Sequence, residues 1–231
     1  MQPGIPQLVT CPYCGKEKKL MTLISGNTIG MRQWSDSFYY APHLPKVSNV
    51  QKCPHCGGFF MYPDAQKRSD DSKEEFNFCL DTGHLSYPEM KQAFLLLEDS
   101  VKGKESEIAL RIAFLHNFNE AFREYEKNSW DKDEGIANEK QRNETDFDLH
   151  RSNLNAIISL LDSSETDNAP FIAEIYRELG RFDDCIATIE KFKTEDSYIQ
   201  LIVKSIREKA LTNDDKVFEI DRRGEKTMIV L

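Results

Sequence analysis

Apolar positions along the chain change their rhythm near residue 86. Before that point apolar residues come in short runs bounded by turn formers, the signature of short strands. Leu20-Met21-Thr22-Leu23-Ile24 reads as a strand, Ser25-Gly26-Asn27-Thr28 as a turn and Ile29 to Trp34 as a second strand. Gly57-Gly58 followed by Phe59-Phe60-Met61-Tyr62 reads as another turn and strand, and residues 1–10 as a flexible lead. From Ser86 the period becomes helical. Ser86-Tyr87-Pro88-Glu89 has a cap residue, an early proline and an acid three residues after the cap, which is a capping-box start. Met90, Phe94 and Leu97 then share one face. A second helix is expected over 106–127, where Ile108, Ile112, Leu115, Phe118 and Phe122 keep the period and Phe114 widens the face. Residues 128–146 read as a polar loop. Further helices are expected at 148–161, 170–179 (stopped by Gly180), 183–192 and 197–211. Val217-Phe218-Glu219-Ile220 alternates, suiting a terminal strand or ordered arm.

The expected fold is therefore α+β and multidomain. A small β-rich module spans 1–68, a linker 69–85, an all-α domain 86–212 and a tail 213–231. The best linker stretch is the charged run 67–75.

Charge supports that division. The chain has 231 residues and a net charge of −9. Residues 1–68 hold eight Lys/Arg and three Asp/Glu, so this part is +5 and the remainder is −14. A basic module could meet nucleic acid or an acidic protein, while the overall charge disfavours long-range steering toward nucleic acid. With 14 Phe and 8 Tyr, the chain can build a core. No apolar run approaches the roughly 20 residues of a membrane-spanning helix. The start MQPGIPQLVT does not read as a secretory signal, so a cytoplasmic protein is expected.

The strongest chemical signal is a repeated pattern. Cys11-Pro12-Tyr13-Cys14-Gly15 and Cys53-Pro54-His55-Cys56-Gly57 share the form C-P-x-C-G. Two residues between cysteines let both thiolates face one ion, and the following glycine allows the positive φ of a tight knuckle. Four such thiolates make a closed tetrahedral zinc site. The same pair resembles the rubredoxin knuckles, which would imply iron and electron transfer; the 38 residues between Cys14 and Cys53 favour zinc. Replacing Cys11 and Cys14 is expected to unfold residues 8–62 and leave the helices intact. His55, between the second pair, is expected to point outward, and His43 to be a bystander. Cys79, near His84, and Cys185 are expected to be small buried apolar residues.

Two further groups of residues are candidates for ligand or partner contacts. Between the knuckles, Arg32, Trp34 and Tyr39 could form a binding platform; alternatively Trp34 and Phe38 build a small core over the metal. On the second helix Arg111, Asn119 and Arg123 fall on one stripe and could grip a carboxylate or phosphate; alternatively the arginines pair with acids such as Glu107 or Glu120.

Ala173, Tyr176, Leu179, Gly180, Phe182, Cys185, Ile186 and Ile189 resemble the helix–turn–helix of a tetratricopeptide repeat (TPR), which implies protein or peptide binding. The whole chain resembles the DUF2225-type family of uncharacterised bacterial proteins. The resemblance rests on Ser-Gly-Asn-Thr-x-Gly between the knuckles and Arg-Glu-Leu-Gly-Arg-Phe in the helical part. It implies a C-P-x-C-G ribbon joined to a TPR-like domain, and it implies no particular activity. No nucleophile–base pair stands out among the scattered histidines and carboxylates, so a non-catalytic protein is expected.

Overall fold

A computed structural model describes residues 2–44, 46–70, 83–123, 142–161 and 168–221. The fold is α+β, with small sheets in the N-terminal part and helices in the C-terminal part. Among the described residues no helix is long and apolar enough to cross a membrane. The chain forms two compact units, each built from separate stretches. The first holds residues 1–31 and 40–118, the second 32–39 and 119–231.

The first unit starts from β1 (Gln2–Pro3), β2 (Gln7–Thr10), β3 (Glu17–Leu20) and β4 (Leu23–Ser25). The N-terminal lead is thus ordered: β1 pairs with β4, and β2 is the centre of a sheet. Antiparallel β3 flanks β2 on one side, with Thr10 opposite Glu17. The expected single strand over 20–24 is broken at Met21 and Thr22, and its ends join two different sheets. In the expected second strand over 29–34, Ile29 and Gly30 form a turn and only Arg32–Gln33 is extended.

β7 (Val50–Lys52) and β8 (Phe59–Met61) make a second hairpin, with Val50 opposite Met61. Lys67-Arg68-Ser69, expected as linker, is instead β9, antiparallel to β2 on its other edge. All three residues are exposed, so β9 is held by its backbone ladder and by Arg68, which grips both oxygens of Glu17 at 2.7 Å. Asp70 follows it and pairs with Lys19 at 2.5 Å. The rest of the expected linker, residues 71–82, lies outside the described residues, as does Cys79. Val9, Cys11, Leu20, Cys53 and Phe60 form the core of this ribbon.

α1 (Tyr87–Leu97) starts as its sequence predicts: Glu89 accepts from the Ser86 N–H at 3.1 Å and from its hydroxyl at 3.0 Å. Met90, Phe94 and Leu97 are buried together. Phe59, Phe60 and Met61 are all buried, because β8 carries ribbon core on one side and meets α1 on the other. Lys52 of β7 pairs with Glu89 at 2.7 Å. α2 (Lys104–Asn119) buries Leu110, Phe114, Leu115 and Phe118, and Phe114 stacks on Phe94 with centroids 4.5 Å apart. The expected stripe is rotated: Ile108 and Ile112 are only half-buried and Phe122 is exposed. The helix gives way to a 3-10 turn at Glu120–Phe122; the expected continuation through 124–127 lies outside the described residues.

In the second unit, α3 spans Glu144–Leu160, starting earlier than expected because Asn143 caps it by accepting from the Asp146 N–H at 3.0 Å. Most of the expected loop before it, residues 128–141, lies outside the described residues. α4 (Ala169–Glu178) is followed at Gly180 by a φ of +71°, the expected stop. α5 (Phe182–Lys191) and α6 (Ser197–Leu211) complete the unit, and α6 is capped by Asp196 accepting from the Ile199 N–H at 2.9 Å. Ala173, Cys185, Ile189, Ile206 and Ala210 form the core where these three helices meet.

The segment 32–39 belongs to this helical unit. Its β5 (Arg32–Gln33) pairs with β6 (Tyr39–Tyr40) around a turn at Ser37, whose φ is +65°. Residues 218–220 of the tail lie antiparallel to it. The Ser35 N–H donates to the Phe218 carbonyl at 2.9 Å, and the Ile220 N–H to the Gln33 carbonyl at 2.8 Å. The end of the tail, 222–231, lies outside the described residues.

Candidate metal centre

Two hairpins of like geometry present the four cysteines. In the first, between β2 and β3, the Cys11 N–H donates to the Lys16 carbonyl at 2.9 Å and the Gly15 N–H to the Cys11 carbonyl at 3.0 Å. In the second, between β7 and β8, the Cys53 N–H donates to the Gly58 carbonyl and the Gly57 N–H to the Cys53 carbonyl, both at 2.9 Å. Gly15 and Gly57 have φ of +69° and +74°, the left-handed conformation that C-P-x-C-G requires.

The four sulfur atoms lie within 4.8 Å of one another. Two of the approaches run between the knuckles: Cys11 to Cys56 and Cys14 to Cys53, each 3.7 Å. That is far beyond a disulfide bond of about 2.05 Å. It matches the edge of a tetrahedron with thiolates about 2.3 Å from a central zinc, about 3.8 Å. Cys11 and Cys53 are buried and belong to the core, whereas Cys14 and Cys56 are exposed.

The thiols are also set apart electrostatically. Burial pushes Cys53 up, but the Cys56 and His55 N–H groups and the Cys11 thiol outweigh it, bringing Cys53 down to about 6. At Cys56 the Gly58 N–H pulls down, while burial and the neighbouring thiols push it up to about 12. One thiol thus ionises readily, and the added negative charge holds the next proton on until a cation takes its place. His55 is exposed and points away from the sulfurs, its Nε2 being 3.3 Å from the Glu17 carbonyl oxygen.

The other candidate residues do not gather at this centre. Trp34 and Phe38 are not a core over the metal; they belong to the helical unit, where Trp34 is buried. Arg32 donates to Glu219 and stacks on Trp34, and Tyr39 is partly exposed. Arg111 pairs with Glu107 at 2.9 Å, as its alternative reading expects. Asn119 and Arg123 are buried in the second unit, in a polar cluster that sequence reasoning did not assemble.

The centre of that cluster is Asp36. Its Oδ2 accepts from Arg123 and, at 3.0 Å, from Asn119 Nδ2. The same Nδ2 lies 3.1 Å from Glu178 Oε2, which is 3.6 Å from His150 Nε2. Beside it Arg177 grips both oxygens of Glu174, at 2.8 and 2.5 Å. Burial raises Glu174 and Glu178 to about 7, each against the pull of Arg177, with Asp36 adding to the rise of Glu178. Burial also lowers His150 to about 3. The sequence did hold one signal: Glu174, Arg177 and Glu178 interrupt a helix whose neighbouring positions are apolar.

Comparison with known proteins finds no matching family model, no matching curated protein and no matching solved structure. The chemistry of this centre therefore rests on its own four cysteines, which form the one metal-competent cluster among the described residues.

Proposed function

We propose that the chain is a non-catalytic zinc protein of the cytoplasm in which the metal stabilises the ribbon and the helical part engages a protein or peptide. The observation that carries the metal assignment is the four-cysteine cluster with 3.7 Å between opposed sulfurs. Four protein thiolates close the coordination shell, leaving no position for a substrate, which suits a structural ion. The spacer of 38 residues between the knuckles favours zinc over iron.

The partner assignment rests on the TPR-like reading of α4 and α5. Ala173 and Cys185 are fully buried where the helices approach, and burial raises the Cys185 thiol to about 12, which suits packing rather than nucleophilic chemistry. The DUF2225-type resemblance belongs to the same proposal. A protein partner is preferred to a nucleic acid because Lys19, Arg32, Lys52 and Arg68, half of the basic side chains in residues 1–68, already pair with acids of this chain.

The deciding experiment is elemental analysis of untagged full-length protein, with a visible spectrum. About one zinc per chain and no colour is expected. About one iron with thiolate-to-iron absorption would replace zinc by iron, and a metal-free protein containing disulfides would overturn the reading.

A further inference from the structure

Among the described residues of the second unit four carboxylates are buried: Asp36, Asp146, Glu174 and the Glu178 side chain. Arg123 and Arg177 lie buried beside three of them, and Asp146 is on α3, one helical turn before His150. The pairing is uneven. Arg123 serves Asp36 and also Glu120, at 3.1 Å. Arg177 is committed to both oxygens of Glu174 and to the Asp214 carbonyl. Among the described residues Glu178 forms no ion pair with an arginine. Its Oε2 shares the Asn119 amide with Asp36, and its Oε1 is buried without a hydrogen-bond partner. His150 Nε2 lies 3.6 Å from Glu178 Oε2, and His150 also feels Asp36 and the cations Arg142 and Arg151.

A buried carboxyl in that position holds a proton, or shares one with the imidazole, because burial and the neighbouring Asp36 outweigh the pull of Arg177 and Arg123, whose hydrogen bonds go to other acids. Asp36 ties the segment 32–39, with Trp34 beneath the Arg123 guanidinium, to the helices, while Ser35, Gln33 and Arg32 tie it to residues 218–220. The charge state of Glu178 therefore acts on the Asp36 tie through one shared amide donor.

We propose that Glu178 and His150 form a proton-controlled latch: with one proton between them the segment 32–39 is held in the helical unit, and loss of that proton frees it. Ionised Glu178 competes with Asp36 for Asn119 and repels it, while Arg123 is shared with Glu120 and Arg177 is already taken. The latch is independent of which metal the ribbon holds.

The test uses Trp34 as its reporter. The only other tryptophan is Trp130, so full-length Trp130→Phe protein is titrated with acrylamide between about pH 5.5 and 9. Quenching of Trp34 should rise several-fold in a one-proton transition near pH 7. Far-UV circular dichroism should stay constant through it. In Glu178→Gln, which mimics the protonated acid, Trp34 should stay shielded across the range. Flat quenching in the parent protein, persistence of the transition in Glu178→Gln, or loss of helical signal at the same pH would each overturn the latch.

Discussion

Arg123 is wholly buried, bound to Asp36 and Glu120 and 4.0 Å from the centroid of Phe38. Arg123→Ala would leave Asp36 charged and without its counter-ion, so a loss of about 3–5 kcal/mol is expected. Arg123→Lys should recover only part of it, because an ammonium lacks the planar fork. Urea unfolding of both variants checks the order. The sequence showed the stripe that Asn119 and Arg123 share, since helical spacing fixes which residues face one way. It did not show Asp36, because no local pattern says which loop will reach that face. The knuckle glycines were legible for the opposite reason, their conformation being set by near neighbours. Gly15→Ala places a Cβ at a φ of +69°, a strain of roughly 1–2 kcal/mol. Chelator competition should show metal affinity lowered by about tenfold, a figure equivalent to about 1.4 kcal/mol; unchanged affinity would contradict the role given to that turn.

At the scale of elements, strong local signals were readable and backbone-only ones were not. α1 begins where Ser86 and Glu89 say it should, and α6 keeps its expected bounds. β1 and β9 escaped notice because their residues are exposed and carry no alternation; their partners are chosen by distant backbone groups. This changes what cysteine replacement should do. β8 buries all three residues, meeting α1, and Lys52 pairs with Glu89. The double variant Cys11→Ser, Cys14→Ser should therefore lose amide protection in α1 as well as in the ribbon, while α4 to α6 keep theirs. Metal binding supplies on the order of 10 kcal/mol to such a site, so a chelator should reproduce the pattern. Full protection in α1 after metal loss would restore the simpler expectation of a ribbon that unfolds alone.

For the whole molecule, the chain passes between the two units after residues 31, 39 and 118, an arrangement that charge and periodicity along the sequence cannot reveal. The grouping places a loop acid among helical acids, and that sets the response to pH. Glu174 and Glu178 are raised from 4.5 to about 7, so between those values the folded protein keeps protons that the unfolded chain releases. Their effect is absent at low pH and destabilises progressively as pH rises through that window; for Glu178 alone the shift amounts to about 3 kcal/mol. His150, lowered from 6.5 to about 3, works the other way: the unfolded chain gains a proton below 6.5 that the folded state refuses. Two carboxyls outweigh one imidazole over most of the shared range. Asp214, held below its ordinary value by Lys209, steepens the loss at the acid end. The second unit should therefore be most stable near pH 5 and weaken toward pH 8, where it levels off. In Glu178→Gln most of that alkaline decline should vanish, because His150 then offsets Glu174 over most of the range. Urea midpoints followed by amide exchange in α4 decide the matter, and a midpoint that rises from pH 5 to pH 8 would mean that Glu174 and Glu178 are both ionised throughout.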